Sequence, residues 1–323
     1  MSHNDEVIHN PMSELTSLPL QRQIMEYLEH LEVERNLSRL TIRDYTLYLG
    51  RFATWCEGHG IKQMQQVNQE TVKKYRLYLA RFVTDQGENL SVRTQSYYII
   101  ALRAFLKWLT KVDVPVMAPE KIDLPKITPN QMTFITPDQV NVLMQMPDVS
   151  TIQGSRDRAM LELLFSTGLR VSELVSLDRE QVNLQTQEFG VMGKGRRIRV
   201  VFISDVAVHW LDQYLRQRTD DWAPVFIRHA KGVDPTDEGE KMRLSTRSVQ
   251  RKVERYRKMA HLPMKITPHS IRHSFATDLL RNGAGLRDVQ EMLGHKNIAT
   301  TQIYTHVTKP ELKRVHEKFH SRG

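Results

Sequence analysis

Within residues 267–307, the side chains of His269, Arg272, His295 and Tyr304 stand out from otherwise ordinary helical text. Thr267-Pro268 reads as a helix start, with Thr as N-cap and Pro at the first helical position. His269 and Arg272 lie three residues apart and share one helix face. The apolar Ile271, Phe275, Leu279 and Leu280 form a different stripe, which leaves the polar pair facing a cleft. A second helix over about Leu286–Leu293 ends at Gly294, a C-cap residue, and His295 follows on the turn. Asn297 can cap a last helix that carries Tyr304. Arginine and imidazole donors together suit an anion with charge on several oxygens, such as a phosphodiester under attack. A tyrosine, whose ordinary pKa is about 10, needs neighbouring positive charge to act as a nucleophile. A zinc site built on His269, His273 and His295 competes with this reading, but Ser270 stands where an HExxH motif needs glutamate. A tyrosine in a helix is by itself usually core or surface, so the nucleophile reading depends on further basic residues upstream.

Two such residues lie earlier in the chain. An apolar helix over Arg156–Thr167 stops at Gly168, and Arg170 follows in TGLRVSEL, with the next helix starting at Ser172. Arg170 is poised there beside a buried helix end; alternatively it complements the helix dipole. Gly193-Lys194-Gly195 lies between two extended runs and reads as a hairpin tip, not a P-loop, since the Lys-Ser/Thr pair is missing. Lys194 could reach into a groove and give a proton to a leaving alkoxide; alternatively it is an exposed turn lysine.

The elements that must position these residues fall into two groups. Residues 1–19 are polar, lack a signal-like apolar segment and read as a flexible N-terminus. Residues 20–112 read as a compact all-α unit of four helices, the later three capped by Ser38, Asn68 and Ser91, whose basic faces favour DNA phosphates over a merely solvated surface. Their expected core stripes are Leu20, Ile24, Leu28 and Leu31; Ile42, Tyr45, Leu49 and Phe52; Val72, Tyr75, Leu79 and Phe82; and Tyr97, Ala101, Phe105 and Trp108. The remaining faces are rich in Lys and Arg, among them Arg39, Arg43, Lys73, Lys74, Arg81, Arg93 and Lys107. A proline-rich linker covers 113–132, and the second domain, 133–323, opens at the capping box Thr136-Pro137-Asp138-Gln139. Its β text is confined to the hairpin around Lys194, so the fold class is mainly α with a small β-sheet. Residues 228–243 form a polar insertion, and a basic helix over Thr246–Ala260 carries Arg247, Arg251, Lys252, Arg255, Arg257 and Lys258 toward a DNA backbone. A terminal amphipathic helix, 308–319, presents Leu312, Val315 and Phe319 for docking.

Composition narrows the class further. The net charge of +9 favours a polyanionic partner, and no run is long enough to cross a membrane. The single cysteine, Cys56, excludes an internal disulfide and suits a reducing, cytoplasmic setting; it reads as a small residue near a helix end.

Taken together, Arg170, Lys194, His269, Arg272, His295 and Tyr304, with the wording TGLRVSEL, GKGRRIR, PHSIRHSFATDLL, LGHKN and TTQIYTHV, resemble the tyrosine recombinase (phage integrase) family. The wording is most similar to its Xer-type subgroup. The resemblance covers the chain in detail from about Thr133 and the N-terminal domain more loosely. It implies a two-domain clamp on a double-stranded DNA recombination site, and a homo-tetramer, or a hetero-tetramer with a paralogue, on two sites. It implies no metal, no nucleotide cofactor and no membrane. It also implies that Tyr304 attacks the phosphate, Arg170, Arg272 and His295 stabilise it, His269 assists the proton of Tyr304, and Lys194 protonates the leaving 5′ oxygen. Glu173 either orients one of these side chains or forms a surface ion pair. Dimer resolution, transposon or phage integration and type IB topoisomerase activity remain as readings of the same chemistry.

Overall fold

The computed structural model describes residues 19–124, 135–193, 198–230 and 237–294. Lys194, His295, Tyr304, the N-terminal 18 residues and the 308–319 helix lie outside the described residues. The chain divides into two compact units, 1–130 and 131–323.

Among the described residues, the α-helices of the first unit are α1 (Leu20–Val33), α2 (Arg39–Glu57), α3 (Gln69–Arg81) and α4 (Val92–Lys111). Ser38, Asn68 and Ser91 each accept a hydrogen bond from the backbone N–H three residues on, as N-caps do. Leu20, Ile24, Leu31, Leu49, Phe52, Tyr75, Leu79 and Phe105 meet in the core. The stripes need two corrections. Tyr27 is buried on α1, while Leu28 is only partly so. On α4 Tyr97 faces solvent, and Tyr98, Ile99, Leu102, Leu106 and Leu109 are buried instead. The physical reason is that α4 packs against the three other helices, so it buries more than a single stripe. Cys56 is fully buried, and burial pushes its thiol pKa up to about 12, which fits a packing role.

The start of the supposed linker also differs from expectation. Val114 and Ile122 are buried on the first unit's core, and Pro119–Lys121 forms a 3₁₀ turn between them. These residues therefore extend that unit before the chain leaves it.

The second unit contains α5 (Pro137–Met144), α6 (Ile152–Thr167), α7 (Val171–Val175), β1 (Glu188–Met192), β2 (Ile198–Phe202), α8 (Asp205–Arg216), α9 (Thr246–Met259), α10 (Pro268–Arg281) and α11 (Leu286–Leu293). Thr136 caps α5 and Thr267 caps α10 in capping boxes with Gln139 and Ser270. Helix α6 is buried on nearly every side and packs against α8 and α10, the arrangement of a central helix. It begins at Ile152 rather than Arg156, because Thr151 supplies the cap.

Strands β1 and β2 pair antiparallel, with Val191 opposite Arg199 and Phe189 opposite Val201. Because side chains alternate along a strand, Arg199 shares its face with Val201 and Ile203, which are buried, while Ile198, Val200 and Phe202 face out. The insertion is less loose than its composition: Ile227 and Arg243 form an isolated antiparallel bridge, and Met242 is buried. Helix α9 is likewise not basic on every side. Lys252 turns inward to Asp157 at 3.0 Å, where Arg156 (2.7 Å) and the Tyr256 hydroxyl (2.8 Å) also bind. Arg257 pairs with Glu254 at 2.8 Å. Arg247, Arg251, Arg255 and Lys258 remain exposed. Among the described residues no helix is long and apolar enough to cross a membrane.

Candidate active site

Gly168 fixes the geometry at the end of α6. Its φ is +60°, the left-handed region that glycine enters without steric cost. A Cβ at this position would lie 2.4 Å from the Phe275 ring, so glycine also permits the close approach of α10. The turn it makes sends Arg170 to the N-cap of α7, and Ser172 falls inside that helix rather than at its start.

Helix α10 brings Arg272 to the same place. Its Nη1 donates to the Gly168 carbonyl and its Nη2 to the Leu293 carbonyl, both at 2.5 Å. Those carbonyls are left over at the ends of α6 and α11, where no intrahelical donor remains. A guanidinium with fixed donors satisfies both at once and is held rigidly, with its side chain only 3% exposed.

Between the arginines stands Glu173, which is 7% exposed and not a surface residue. Its carboxylate accepts from the Arg170 backbone N–H (2.8 Å) and the Arg170 Nη1 (2.7 Å). It also accepts from Arg199 through two parallel bonds of 3.0 and 2.8 Å. Arg272 Nη1 lies 3.9 Å away. Burial alone would raise the Glu173 pKa, but the hydrogen bonds from Arg199 and Arg170 outweigh it and hold the carboxyl down at about 2. Glu173 is therefore charged at neutral pH and fixes the orientation of its partners. Of the two readings left open by the sequence, the orienting one matches this geometry.

His269 sits one turn before Arg272, exposed, with its ring 4.2 Å from that of His273. Loss of solvent around the ring, and then the charges of Arg272 and Arg170, lower its pKa. The Arg170 side chain is about one-third exposed, so it is not closed off from a ligand. The structure thus gathers Arg170, Arg272 and His269. Lys194, His295 and Tyr304 lie outside the described residues, although the described chain on either side of the Lys194 tip and before His295 borders this cluster through Arg199 and Leu293.

One neighbour of the site, the last residue of GKGRRIR, has a role that the motif does not disclose. Arg199, 10% exposed, ties β2 to both Glu173 and the Met292 carbonyl of α11 (3.0 Å). Strand alternation could have found it, since it is the one charged position on a face otherwise occupied by Val201 and Ile203.

Known proteins similar to this chain identify its family and fold. Residues 133–311 match the phage integrase family, and residues 24–112 match the phage integrase N-terminal SAM-like domain. The tyrosine recombinase XerD of Staphylococcus epidermidis is 33% identical over 308 residues, which is 93% of this chain and 99% of that protein. XerD of Staphylococcus aureus matches to the same extent. Among solved structures, XerH recombinase bound to a palindromic difH substrate in a post-cleavage complex shares the fold at a TM-score of 0.67 and 22% identity. That match covers 95% of this chain and 92% of XerH.

Proposed function

The chain belongs to the phage integrase family of tyrosine recombinases, and from that premise we propose that it cuts and rejoins a specific DNA site through Tyr304. In this reading the Tyr304 hydroxyl oxygen bonds to the scissile phosphorus as the bond to the 5′ oxygen breaks. The products are a 3′-phosphotyrosyl link and a free 5′-hydroxyl. Arg170 and Arg272 neutralise the non-bridging oxygens, whose charge grows in the pentacovalent transition state. His295 adds a donor to the same phosphate. His269, whose lowered pKa favours the neutral ring at pH 7, accepts the tyrosine proton, and Lys194 protonates the departing 5′ oxygen.

The observation that most supports this reading is one buried carboxylate, Glu173, holding Arg170 within 2.7 Å and Arg272 within 3.9 Å. Two guanidiniums fixed side by side form a preorganised site for a doubly contacted phosphate. The exposed cations Arg39, Arg43, Lys73, Lys74, Arg81, Arg93 and Lys107 on the first unit, and Arg247, Arg251, Arg255 and Lys258 on α9, supply sequence-independent backbone contacts.

Rejoining reverses the chemistry. A 5′-hydroxyl from a partner duplex attacks the phosphotyrosyl phosphorus, Tyr304 leaves and recovers its proton, and the phosphodiester energy is conserved without a nucleotide. Exchange between two duplexes breaks four strands, so we assign four subunits to two sites. The four are copies of this chain or of this chain and a paralogue. The role closest to the relatives' is Xer-like resolution of joined replicons in the cytoplasm.

The test is Tyr304→Phe on a nicked suicide substrate, which traps the covalent intermediate by releasing a short strand. The variant should bind DNA with wild-type affinity and form no SDS-resistant adduct. An adduct with the Phe variant would remove Tyr304 as nucleophile.

A further inference from the structure

Arg199 belongs to none of the six positions assigned to the reaction, yet it joins the carboxylate beside Arg170 to the helix end that holds Arg272. It projects from β2 onto the sheet's buried face, opposite Val191 and beside Val201. A charged side chain there loses its hydration and needs partners, which it finds on two other elements. Both oxygens of Glu173 on α7 accept from it at 3.0 and 2.8 Å, and the Met292 carbonyl at the end of α11 accepts from its Nε at 3.0 Å.

The backbone around it is shaped for this contact. Gly294 has a φ of +63°, and a Cβ on it would stand 3.0 Å from the Arg199 Cδ. The α11 C-terminus therefore closes down on the arginine. The next carbonyl in that turn, Leu293, is the one that holds Arg272. Arg199 thus connects three things: the carboxylate that orients Arg170, the helix end that orients Arg272, and the strand that leads back from the Lys194 tip.

We propose that Arg199 is a positioning residue for DNA cleavage, which sets the spacing of Arg170 and Arg272 by clamping Glu173 to the end of α11. It touches neither the phosphate nor the nucleophile. Its geometry is one that lysine cannot reproduce, since a single ammonium cannot span both carboxylate oxygens in a parallel pair and reach a carbonyl on the far side. The inference rests on the recombinase reading above.

Three variants test it: Arg199→Lys, Glu173→Gln and the two combined. Each is measured in the full-length protein for DNA affinity, for single-turnover cleavage of the nicked substrate, and for stability in urea. Arg199→Lys keeps the charge and most of the stem, so it should remain folded and bind DNA within about threefold of wild type. Its cleavage rate constant should fall by roughly 10- to 100-fold, the scale on which small misplacement of reacting groups acts. Glu173 is faced by Arg170 from its own helix, Arg199 from β2 and Arg272 from α10. With Arg199 shortened, cleavage should fall further than in wild type as pH drops through the ordinary carboxylate range, because the carboxylate has lost its paired bonds from Arg199.

A merely structural arginine gives a different pattern. Lower stability with unchanged cleavage per folded molecule, or an unchanged pH profile in Arg199→Lys, overturns the proposal. So does full additivity of the Glu173 and Arg199 changes in the urea measurement, which needs no activity. Absence of any adduct from the wild-type protein would count against the recombinase reading instead, and the urea cycle would still decide whether Arg199 and Glu173 act together.

Discussion

Replacing Glu173 by Gln removes one charge and little volume, and the structure gives the size of the effect. The carboxyl is held at about 2 against an ordinary value of 4.5. Each pKa unit between folded and unfolded chain is worth about 1.4 kcal/mol, so Glu173 contributes about 3 kcal/mol at pH 7. The mutational precedent for breaking a buried ion pair on one side, about 3–5 kcal/mol, gives the same scale. Here the removal leaves Arg199 and Arg170 without their carboxylate. The sign follows from the direction of the shift. A depressed carboxyl pKa stabilises the fold fully above about pH 4.5 and loses that contribution as pH falls toward 2. The gap between wild type and Glu173→Gln should therefore be about 3 kcal/mol at pH 7 and shrink by roughly half near pH 3. Urea titrations at fixed pH values, followed by tryptophan fluorescence, measure that gap directly. Other carboxylates titrate in both proteins and cancel in the difference. A gap below about 1 kcal/mol at pH 7, or one that does not close with acid, would show that Glu173 is not the charge that holds these arginines.

Gly168 and Lys194 give two further tests. Gly168→Ala must enter a left-handed conformation and push a Cβ to 2.4 Å from the Phe275 ring, so it should cost about 2–5 kcal/mol, combining backbone strain and overpacking. Urea unfolding checks this, and a loss under about 0.5 kcal/mol would mean that the α6–α10 approach is loose. Lys194→Ala should slow cleavage of an ordinary phosphodiester by on the order of 10²-fold and recover when the bridging 5′ oxygen is sulfur, because a thiolate leaves without a proton. Equal defects on both substrates in single-turnover assays would make Lys194 a DNA-positioning residue.

What the sequence disclosed depended on the range of the interaction. Caps are local, and Ser38, Asn68, Ser91, Thr136 and Thr267 all do in the structure what their spacing announces. The stop at Gly168 is local as well. Stripes are less dependable, because they assume that a helix buries one face; α4, surrounded by three helices, moved Tyr97 outward and brought Tyr98 and Ile99 in. Charges were the hardest to read. Lys252 looked like one more cation on a DNA-facing helix, but Asp157 lies nearly a hundred residues earlier in the chain and draws it inward. The arginines of the candidate site were legible as a set through their motifs. Their shared dependence on Glu173 and Arg199 was not, since that contact joins α7, β2 and α11 and exists only once the chain has folded.

The same contacts explain how a site for a phosphate can exist before the phosphate arrives. Guanidiniums as close as Arg170 and Arg272 repel, and Arg272 is almost wholly buried. A free cation in that position would be costly. The protein answers with one full charge, Glu173, and with carbonyls at the C-terminal ends of α6 and α11, where the helix dipoles are negative. Arg170, beside Glu173, keeps about one-third of its side chain exposed. The scaffold thus balances the charge of these guanidinium donors before any ligand arrives. Rate enhancement by such donors depends on their not having to reorganise as charge develops. Replacing Glu173 by a neutral residue should therefore slow cleavage even in molecules that remain folded, because the arginines would have to be ordered by the DNA itself.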